Sequence, residues 1–410
     1  MANFLVRGLK PLSGEIEVSG SKNASLAALA ASILFKDAPN FLNMPEIEDI
    51  KRMKEMLILF EERAEFDTEI AKRFRASILL VGPALAKSGN VFFPHPGGCV
   101  IGARPIDAFL TGWEAMGAKV KFEIRNPKSE ILNYELIAPN GMHGVDYTFR
   151  TQSVTGTEGL MMTAVLAKGE TILRNCAMEP EIKYLANFLN KNGADIRGAG
   201  STTICVQGRN GRLLDGREPF YAPPDRIEAG TFMILGALLA KELLIKNILK
   251  EEVVALYGAL KAAGAEIIFE KNQAVIKKTA QLKAVNIKTK EYPGFPTDLQ
   301  APFAVLLTQA KGQSLIHETI FEGRLSYVND LSRTGANISL MDTRRALISG
   351  PTRLHGTVLE SPDLRAGLAF VIAALVAEGE SKIGNIYQID RGYARIEERL
   401  QKIGADIRRV

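Results

Sequence analysis

Lys22, Cys99, Arg104, Asp298, Arg365 and Arg391 are the residues of this 410-residue chain whose types and settings suit chemistry. In "VSGSKNASLAAL", Lys22 and Asn23 open a helix directly after a strand. Unpaired backbone N–H groups and the helix dipole favour an anion at such a point. An N-cap beside a solvated lysine and an anion-binding cation both fit that setting. In "SPDLRAGLAF", Asp363 and Arg365 stand at the mouth of an almost wholly apolar helix, either as a structural ion pair or facing a cleft. In "DRGYARIEERL", Arg391 follows a turn acid and precedes an amphipathic helix. In "EYPGFPTDLQAPF", two prolines and a glycine fix a turn, and Asp298 follows at a helix start. Its commonest duty there is to cap the helix; its alternative is to accept a proton from a substrate hydroxyl, which needs a cation-rich site to keep the carboxylate ionised.

The stretch "HPGGCVIGARPID", residues 95–107, sets Cys99 in a glycine-rich turn five residues before Arg104. Gly97, Gly98 and Gly102 let the backbone approach a ligand and move as a lid, and Arg104 offers a planar donor to carboxylate or phosphate. A lone cysteine often only fills a core, but in this turn a reactive thiol is the better reading. Cys176 and Cys205 lie in apolar, strand-like runs and read as buried filler.

The elements that carry these residues recur along the chain. A helix end followed by "GA" and a strand appears at Gly117, Gly193, Gly264, Gly335 and Gly404, spaced 76, 71, 71 and 69 residues apart, with a weaker copy near Arg63. An alanine-rich helix closes on the same beat at Lys36, Lys87, Lys168, Lys241, Lys311 and Glu378. Each unit of about seventy residues reads as strand, buried helix, strand, amphipathic helix closed by glycine, and a strand pair. Helices apolar almost all round must be buried, so the class is α/β with helices inside and sheets outside. The proline-rich "EPFYAPPD" at 218–225 falls after the third unit and divides the chain into three repeats per domain. Residues 1–19 read as a first strand that completes the second domain. The expected domains are therefore 20–223, and 1–19 plus 224–410, with crossings near Lys22 and Pro224.

Composition excludes several classes. The chain is 46% hydrophobic and 24% charged, as globular proteins are, and its net charge of +5 is spread without basic blocks. That balance suits a small anionic substrate better than nucleic acid. Three cysteines and four scattered histidines give neither a disulfide framework nor metal-ligand spacing. Apolar runs stop near a dozen residues and no export signal opens the chain, so the expectation is a cytoplasmic protein that does not span a membrane.

The motifs "SGSKNAS", "FRASILLVGP", "PGGCVIGARP", "PDRIEAGTF", "YPGFPTDLQAPF", "ETIFEGR", "DLRAG" and "IDRGYARIEERL", in this order and nearly end to end, resemble the UDP-N-acetylglucosamine 1-carboxyvinyltransferase family of enolpyruvyl transferases, within the EPSP synthase superfamily. The resemblance implies a two-domain inside-out α/β barrel of six βαβαββ-like repeats, three per domain, with the active site in the cleft between domains. It implies phosphoenolpyruvate and UDP-N-acetylglucosamine as substrates. Neither a metal nor an organic cofactor is implied, and no nucleic-acid, membrane or obligatory protein partner is expected. Lys22, Arg104 and Arg391 would hold the phosphate of phosphoenolpyruvate, with Arg324 and Arg365 adding positive charge. Asn23, Arg75, Arg104, Asp107, Asp298 and Ile320 would line the UDP-sugar site, and Asp363 would belong to the substrate-binding set. Cys99 would be the acid that protonates the methylene carbon, and Asp298 the base toward the sugar 3-hydroxyl. Leu79 and Phe109 depart from the family's frequent tryptophan and histidine, both on the UDP-sugar side. The sister transferase acting on shikimate 3-phosphate fits less well, because its "GNAGTxxR"-like stretch is missing. A non-catalytic paralogue fits poorly too, because Lys22, Cys99, Arg104, Asp298 and Arg391 are all retained.

Overall fold

The computed structural model describes residues 2–63, 66–98, 101–102, 104–124 and 131–410. The chain divides into two units. One runs to Gly20 and resumes with Pro224–Val410, and Ile101 and Gly102 group with it; the other comprises Ser21–Gly98 and Arg104–Pro223. At the crossings, Asp225 N–H donates to Ser19 C=O at 2.9 Å, and Ser21 N–H to Pro223 C=O at 2.6 Å.

In the first unit the N-terminal segment is two strands rather than one. Phe4–Arg7 and Leu12–Glu17 are separated by a break where Leu9 has φ 63° and Pro11 has no N–H to donate. Phe4–Arg7 lies inside a four-stranded sheet, antiparallel to both Glu380–Gly384 and Asp406–Arg409. Leu12–Glu17 pairs in parallel with Ala240–Lys246 in another sheet. A third sheet joins Ile287–Lys288, Gly312–His317, Arg345–Gly350 and Ile338–Asp342. Their apolar faces enclose three helices that pack on one another, Arg226–Leu239, Gln300–Thr308 and Leu364–Val376. Every residue of Gln300–Thr308 is buried, as is Leu364–Val376 but for its last. Their rows of Ala, Leu, Val and Phe leave no polar face for water, and each such Leu or Phe contributes about 2–3 kcal/mol of burial.

The second unit is built alike around Lys22–Ala31, Val81–Ser88 and Val154–Leu166. Its sheets run Asp146–Thr148, Glu170–Arg174, Thr203–Gln207, Asp195–Arg197, and Asn90–Pro94, Ile131–Ile137, Lys119–Ile124, with a short parallel pair Phe41–Leu42 and Phe220–Tyr221. Among the described residues, all four four-stranded sheets share one plan, a parallel pair at one edge followed by two antiparallel ladders.

The recurring "GA" glycines share one backbone state. Gly117, Gly193, Gly264, Gly335 and Gly404 have φ between 92° and 99°. In four of them the following alanine N–H reaches back to the last helical turn: Ala118 to Trp113, Ala194 to Leu189, Ala265 to Leu260 and Ala405 to Leu400, at 2.9–3.1 Å. This is the left-handed close of a helix, which only glycine adopts without strain, and it fixes where each following strand starts.

Candidate active site

In the first unit, the turn before Gln300–Thr308 places Asp298 in a single 3-10 turn, Thr297–Leu299. Pro296 starts that turn because its missing N–H has no partner to lose there. Asp298 caps neither this turn nor the helix after it. Instead Arg324 Nη2 donates to its Oδ1 at 2.8 Å and Arg365 Nε to its Oδ2 at 3.0 Å. Both arginines are buried while the aspartate side chain keeps 29% exposure, so the carboxylate is the group of the three that solvent or a ligand reaches. Burial opposes the charge on Arg324, but Asp298 and then Asp363 outweigh it, and its pKa lies above the ordinary value. Arg365 is raised as well: burial opposes its charge, and Tyr393 and Asp298 outweigh that. The two guanidiniums hold the carboxylate as an anion, the form that accepts a proton.

Of the two arrangements open to Asp363 and Arg365, the ion pair between them is not formed. Asp363 is the N-cap of Leu364–Val376, accepting from Arg365 N–H at 2.7 Å and Ala366 N–H at 3.1 Å, which leaves the Arg365 side chain for Asp298. Arg391 is buried just after Tyr387–Asp390 and donates to Gln388 Oε1 at 3.0 Å. Ile320 is half-buried, and its N–H donates to Glu318 Oε1 at 2.8 Å. Glu318 is fully buried and also accepts from Thr289, Thr297 and Phe321, which ties the turn before Asp298 to the segment bearing Ile320. The glycine at 102 is a steric requirement: a Cβ there would lie 2.7 Å from the Glu322 carboxyl carbon. Gly323 N–H donates to Ile101 C=O at 3.0 Å.

In the second unit, Ser21 rather than Lys22 or Asn23 caps the helix, its Oγ accepting from Ala24 N–H at 3.4 Å. Lys22 is no solvated lysine. It is buried, with its Nζ 2.7 Å from the buried Asp49 carboxylate. Asn23 is half-buried beside it. Arg75 donates through Nη2 to the carbonyls of Arg104 and Pro105, the latter at 3.0 Å, and so holds the "ARPID" turn by its backbone. Burial, then the charge of Arg104, draws the Arg75 pKa down to about 10, so it stays cationic at neutral pH. Gly98, at φ 128°, lies against Arg75 and Arg104, and a Cβ on Gly97 would meet the Lys72 carbonyl oxygen at 1.6 Å. Both glycines are therefore required by packing. Asp107 is the exposed first residue of Asp107–Ala115. His95 Nδ1 lies 3.0 Å from the Tyr134 hydroxyl, and burial followed by Arg75 lowers the histidine pKa. Cys99 lies outside the described residues.

The structure thus brings together Asp298, Arg324 and Arg365 in one unit, and Arg75 with Arg104 in the other. Leu79 and Phe109 are both core residues. Phe109 packs against Trp113 with ring centroids 5.4 Å apart, and Gly159 clears space for it. Asp49, Glu318 and Tyr393 were not singled out from sequence. Nothing in "MPEIEDI" marks Asp49, whereas Glu318 and Tyr393 lie inside quoted motifs at positions whose partners only the fold supplies. Among the described residues no group of three His, Cys, Asp or Glu side chains is placed to hold a metal ion. No helix of the described residues is long and apolar enough to cross a membrane.

The α/β fold thus presents a part-exposed carboxylate between two buried guanidiniums. The chain belongs to the family described as EPSP synthase (3-phosphoshikimate 1-carboxyvinyltransferase), whose model matches residues 6–400. It is 42% identical, over the full length of both chains, to the UDP-N-acetylglucosamine 1-carboxyvinyltransferase of Solibacter usitatus. It is 41% identical to UDP-N-acetylglucosamine 1-carboxyvinyltransferase 1 of Caldanaerobacter subterraneus, over 99% of each chain. The fold is similar to the crystal structure of the enolpyruvyl transferase NikO from Streptomyces tendae, with TM-score 0.87, 22% identity, and 100% and 99% of the two chains covered. It is also similar to EPSP synthase from Acinetobacter baumannii, with TM-score 0.73, 18% identity and full coverage of both.

Proposed function

We propose that the chain transfers the enolpyruvyl group of phosphoenolpyruvate to the 3-hydroxyl of UDP-N-acetylglucosamine and releases phosphate, the first committed step toward peptidoglycan precursors. The observation that carries this reading is the 42% identity, along the whole of both chains, with a relative of that name. The Asp298 cluster supports it. Attack by the hydroxyl oxygen on C2 of phosphoenolpyruvate needs an acceptor for the hydroxyl proton, and an anionic Asp298 held by Arg324 and Arg365 is such an acceptor.

In this reading Cys99 delivers a proton to the methylene carbon as the C–O bond forms. The tetrahedral ketal then loses phosphate and a methyl proton, which restores the double bond on the sugar. Lys22, Arg104 and Arg391 hold the phosphate, whose charge requires several cations in a site short of water. Asn23, Arg75, Arg104, Asp107, Asp298 and Ile320 serve the UDP-sugar, and Asp363 belongs to the substrate-binding set. Asp363 acts at one remove, because its carboxylate caps the helix that aims Arg365. The reaction takes no cofactor and belongs to the cytoplasm.

The chain is further read as six βαβαββ-like repeats, three in each of the domains 20–223 and 1–19 plus 224–410, arranged as an inside-out barrel. Five glycines with matching φ and four sheets of one plan support that reading.

The test is phosphate release by the purified protein. It should require phosphoenolpyruvate and UDP-N-acetylglucosamine together, and shikimate 3-phosphate should not replace the UDP-sugar. Turnover with shikimate 3-phosphate, or none with the UDP-sugar, would overturn the assignment.

A further inference from the structure

We propose that Tyr393 is a positioning residue for this reaction, setting the Arg365 guanidinium and through it the Asp298 carboxylate. The inference rests on the reading of Asp298 as the proton acceptor.

Tyr393 is completely buried, and its hydroxyl accepts from Arg365 Nη1 at 3.0 Å, with the guanidinium carbon 5.5 Å from the ring centroid. Arg365 Nε donates to Asp298 Oδ2 at 3.0 Å. A planar guanidinium pinned at Nη1 and at Nε has no remaining freedom to rotate, so the phenol fixes the direction from which Asp298 is held. Arg324 fixes the other oxygen at 2.8 Å.

The direction of the hydrogen bonds is determined. Thr231 Oγ1 donates to Ile227 C=O at 2.8 Å, so its proton is committed, and the Tyr393 O–H, 3.4 Å away, can only donate to Thr231. The phenol oxygen therefore turns its lone pairs to Arg365. The chain of donors runs one way, from Arg365 to Tyr393 to Thr231 to the backbone. Core filling asks only for the ring; the hydroxyl is what reaches Arg365.

The tyrosine also anchors a second site segment. It stands two residues after Arg391, and its N–H donates to Ile389 C=O at 3.0 Å, in the same turn where Arg391 N–H donates to Tyr387 C=O at 3.2 Å. Gly392 between them lies against Leu364, the residue before Arg365: a Cβ there would come within 2.5 Å of Leu364 Cδ1. One side chain thus joins the turn bearing Arg391 to the helix start bearing Arg365.

The experiment is a double-mutant cycle on steady-state phosphate release from phosphoenolpyruvate and UDP-N-acetylglucosamine, using Y393F, D298N and the pair. Y393F should lower kcat about tenfold with both KM values within about twofold of wild type, because it disturbs an alignment used in the transition state. In the D298N background the same change should cost less than about twofold, because the hydroxyl acts through that carboxylate. Three results overturn the proposal: a Y393F kcat within twofold of wild type, a loss confined to KM, or an equal loss in both backgrounds. Should Y393F not fold, 3-fluorotyrosine at position 393 keeps the hydroxyl but makes it a weaker acceptor. It must then lower kcat in the wild-type background and not in D298N, and an unchanged kcat is decisive against the idea. A wild-type protein that releases no phosphate from the two substrates fails the functional reading, and this inference falls with it. An active wild type with a silent Y393F sinks the inference alone.

Discussion

The proposed function gives Cys99 a reactive thiol, and the structure gives Cys176 the opposite setting. Cys176 is fully buried just beyond Glu170–Arg174, its Sγ donates to Leu173 C=O at 3.3 Å, and burial pushes the thiol up to about 12. An acid whose pKa is raised that far is a thiolate only above about pH 12, so at neutral pH Cys176 has no nucleophilic form to offer. Cys205 departs from the expected buried filler: it is half-exposed on Thr203–Gln207. Cys99 is the reactive thiol of the reading proposed above, and Gly97 and Gly98 before it are packed against Lys72, Arg75 and Arg104. A small epoxide carrying a phosphonate should therefore be held by the phosphate-binding cations and opened by the Cys99 sulfur. The S–C bond forms as the ring C–O bond breaks, and the oxygen takes up a proton. Peptide mass spectrometry after brief exposure at pH 7.5 should find the adduct on Cys99, faster with UDP-sugar present. Modification of Cys176, or an unmodified Cys99 at saturating UDP-sugar, would contradict the role given to the lid thiol.

At the scale of elements, the question is how turns far apart in sequence are held in register. Glu318 answers it for the turn before Asp298: one buried carboxylate accepts from Thr289 Oγ1 at 2.9 Å, Thr297 Oγ1 at 2.9 Å, Ile320 N–H at 2.8 Å and Phe321 N–H at 3.1 Å. Glu318→Ala leaves four donors short of an acceptor and should lower the unfolding free energy by about 2–4 kcal/mol, read from urea denaturation. Glu318→Gln keeps an oxygen for the two backbone donors and presents an amide that the rotatable Thr297 hydroxyl accepts, so its loss should be under about half as large. Equal losses for the two variants would show that charge, not acceptor geometry, holds the turn. The same elements show what sequence makes legible. The helix ends were readable because a glycine at φ near 95° is demanded locally, within one turn of its own helix. Whether Asp298 caps a helix or serves as a base is open in its local sequence because its partners lie 26 and 67 residues away, and no local pattern reports a contact of that span. Lys22 was left open for the same reason: its Asp49 partner sits in the next helix, Glu48–Arg63, and burial of the pair is a property of packing. The motifs name candidate residues, and the fold decides which of them meet.

At the scale of the whole molecule, the two ends of the chain are neighbours in one sheet. Phe4–Arg7 runs antiparallel to Asp406–Arg409, and beyond the ladder Asn3 N–H donates to Val410 C=O at 2.7 Å while Val410 N–H donates to Asn3 C=O at 2.9 Å. Such a pair is an open hairpin, and a connection of two residues in a tight turn closes it at little cost in entropy. Phe4–Arg7 is held on its other side by Glu380–Gly384, so its place in the sheet comes from two ladders and not from its being near the start of the chain. A circular permutant should then fold, with Val410 joined to Asn3 through Asn-Gly and new ends opened between Gly200 and Ser201. Both of those residues are exposed in the turn between Asp195–Arg197 and Thr203–Gln207, where few contacts depend on continuity. The permutant leaves the crossings at Gly20 to Ser21 and at Pro223 to Pro224 as they are. Its melting temperature should lie within about 5 °C of the parent and its phosphate release within about threefold. A permutant that is soluble but inactive would mean that the free ends near Asn3 and Val410 matter to turnover. One that does not fold would mean that the sheet needs its first strand to be made first, which native pairing alone does not require.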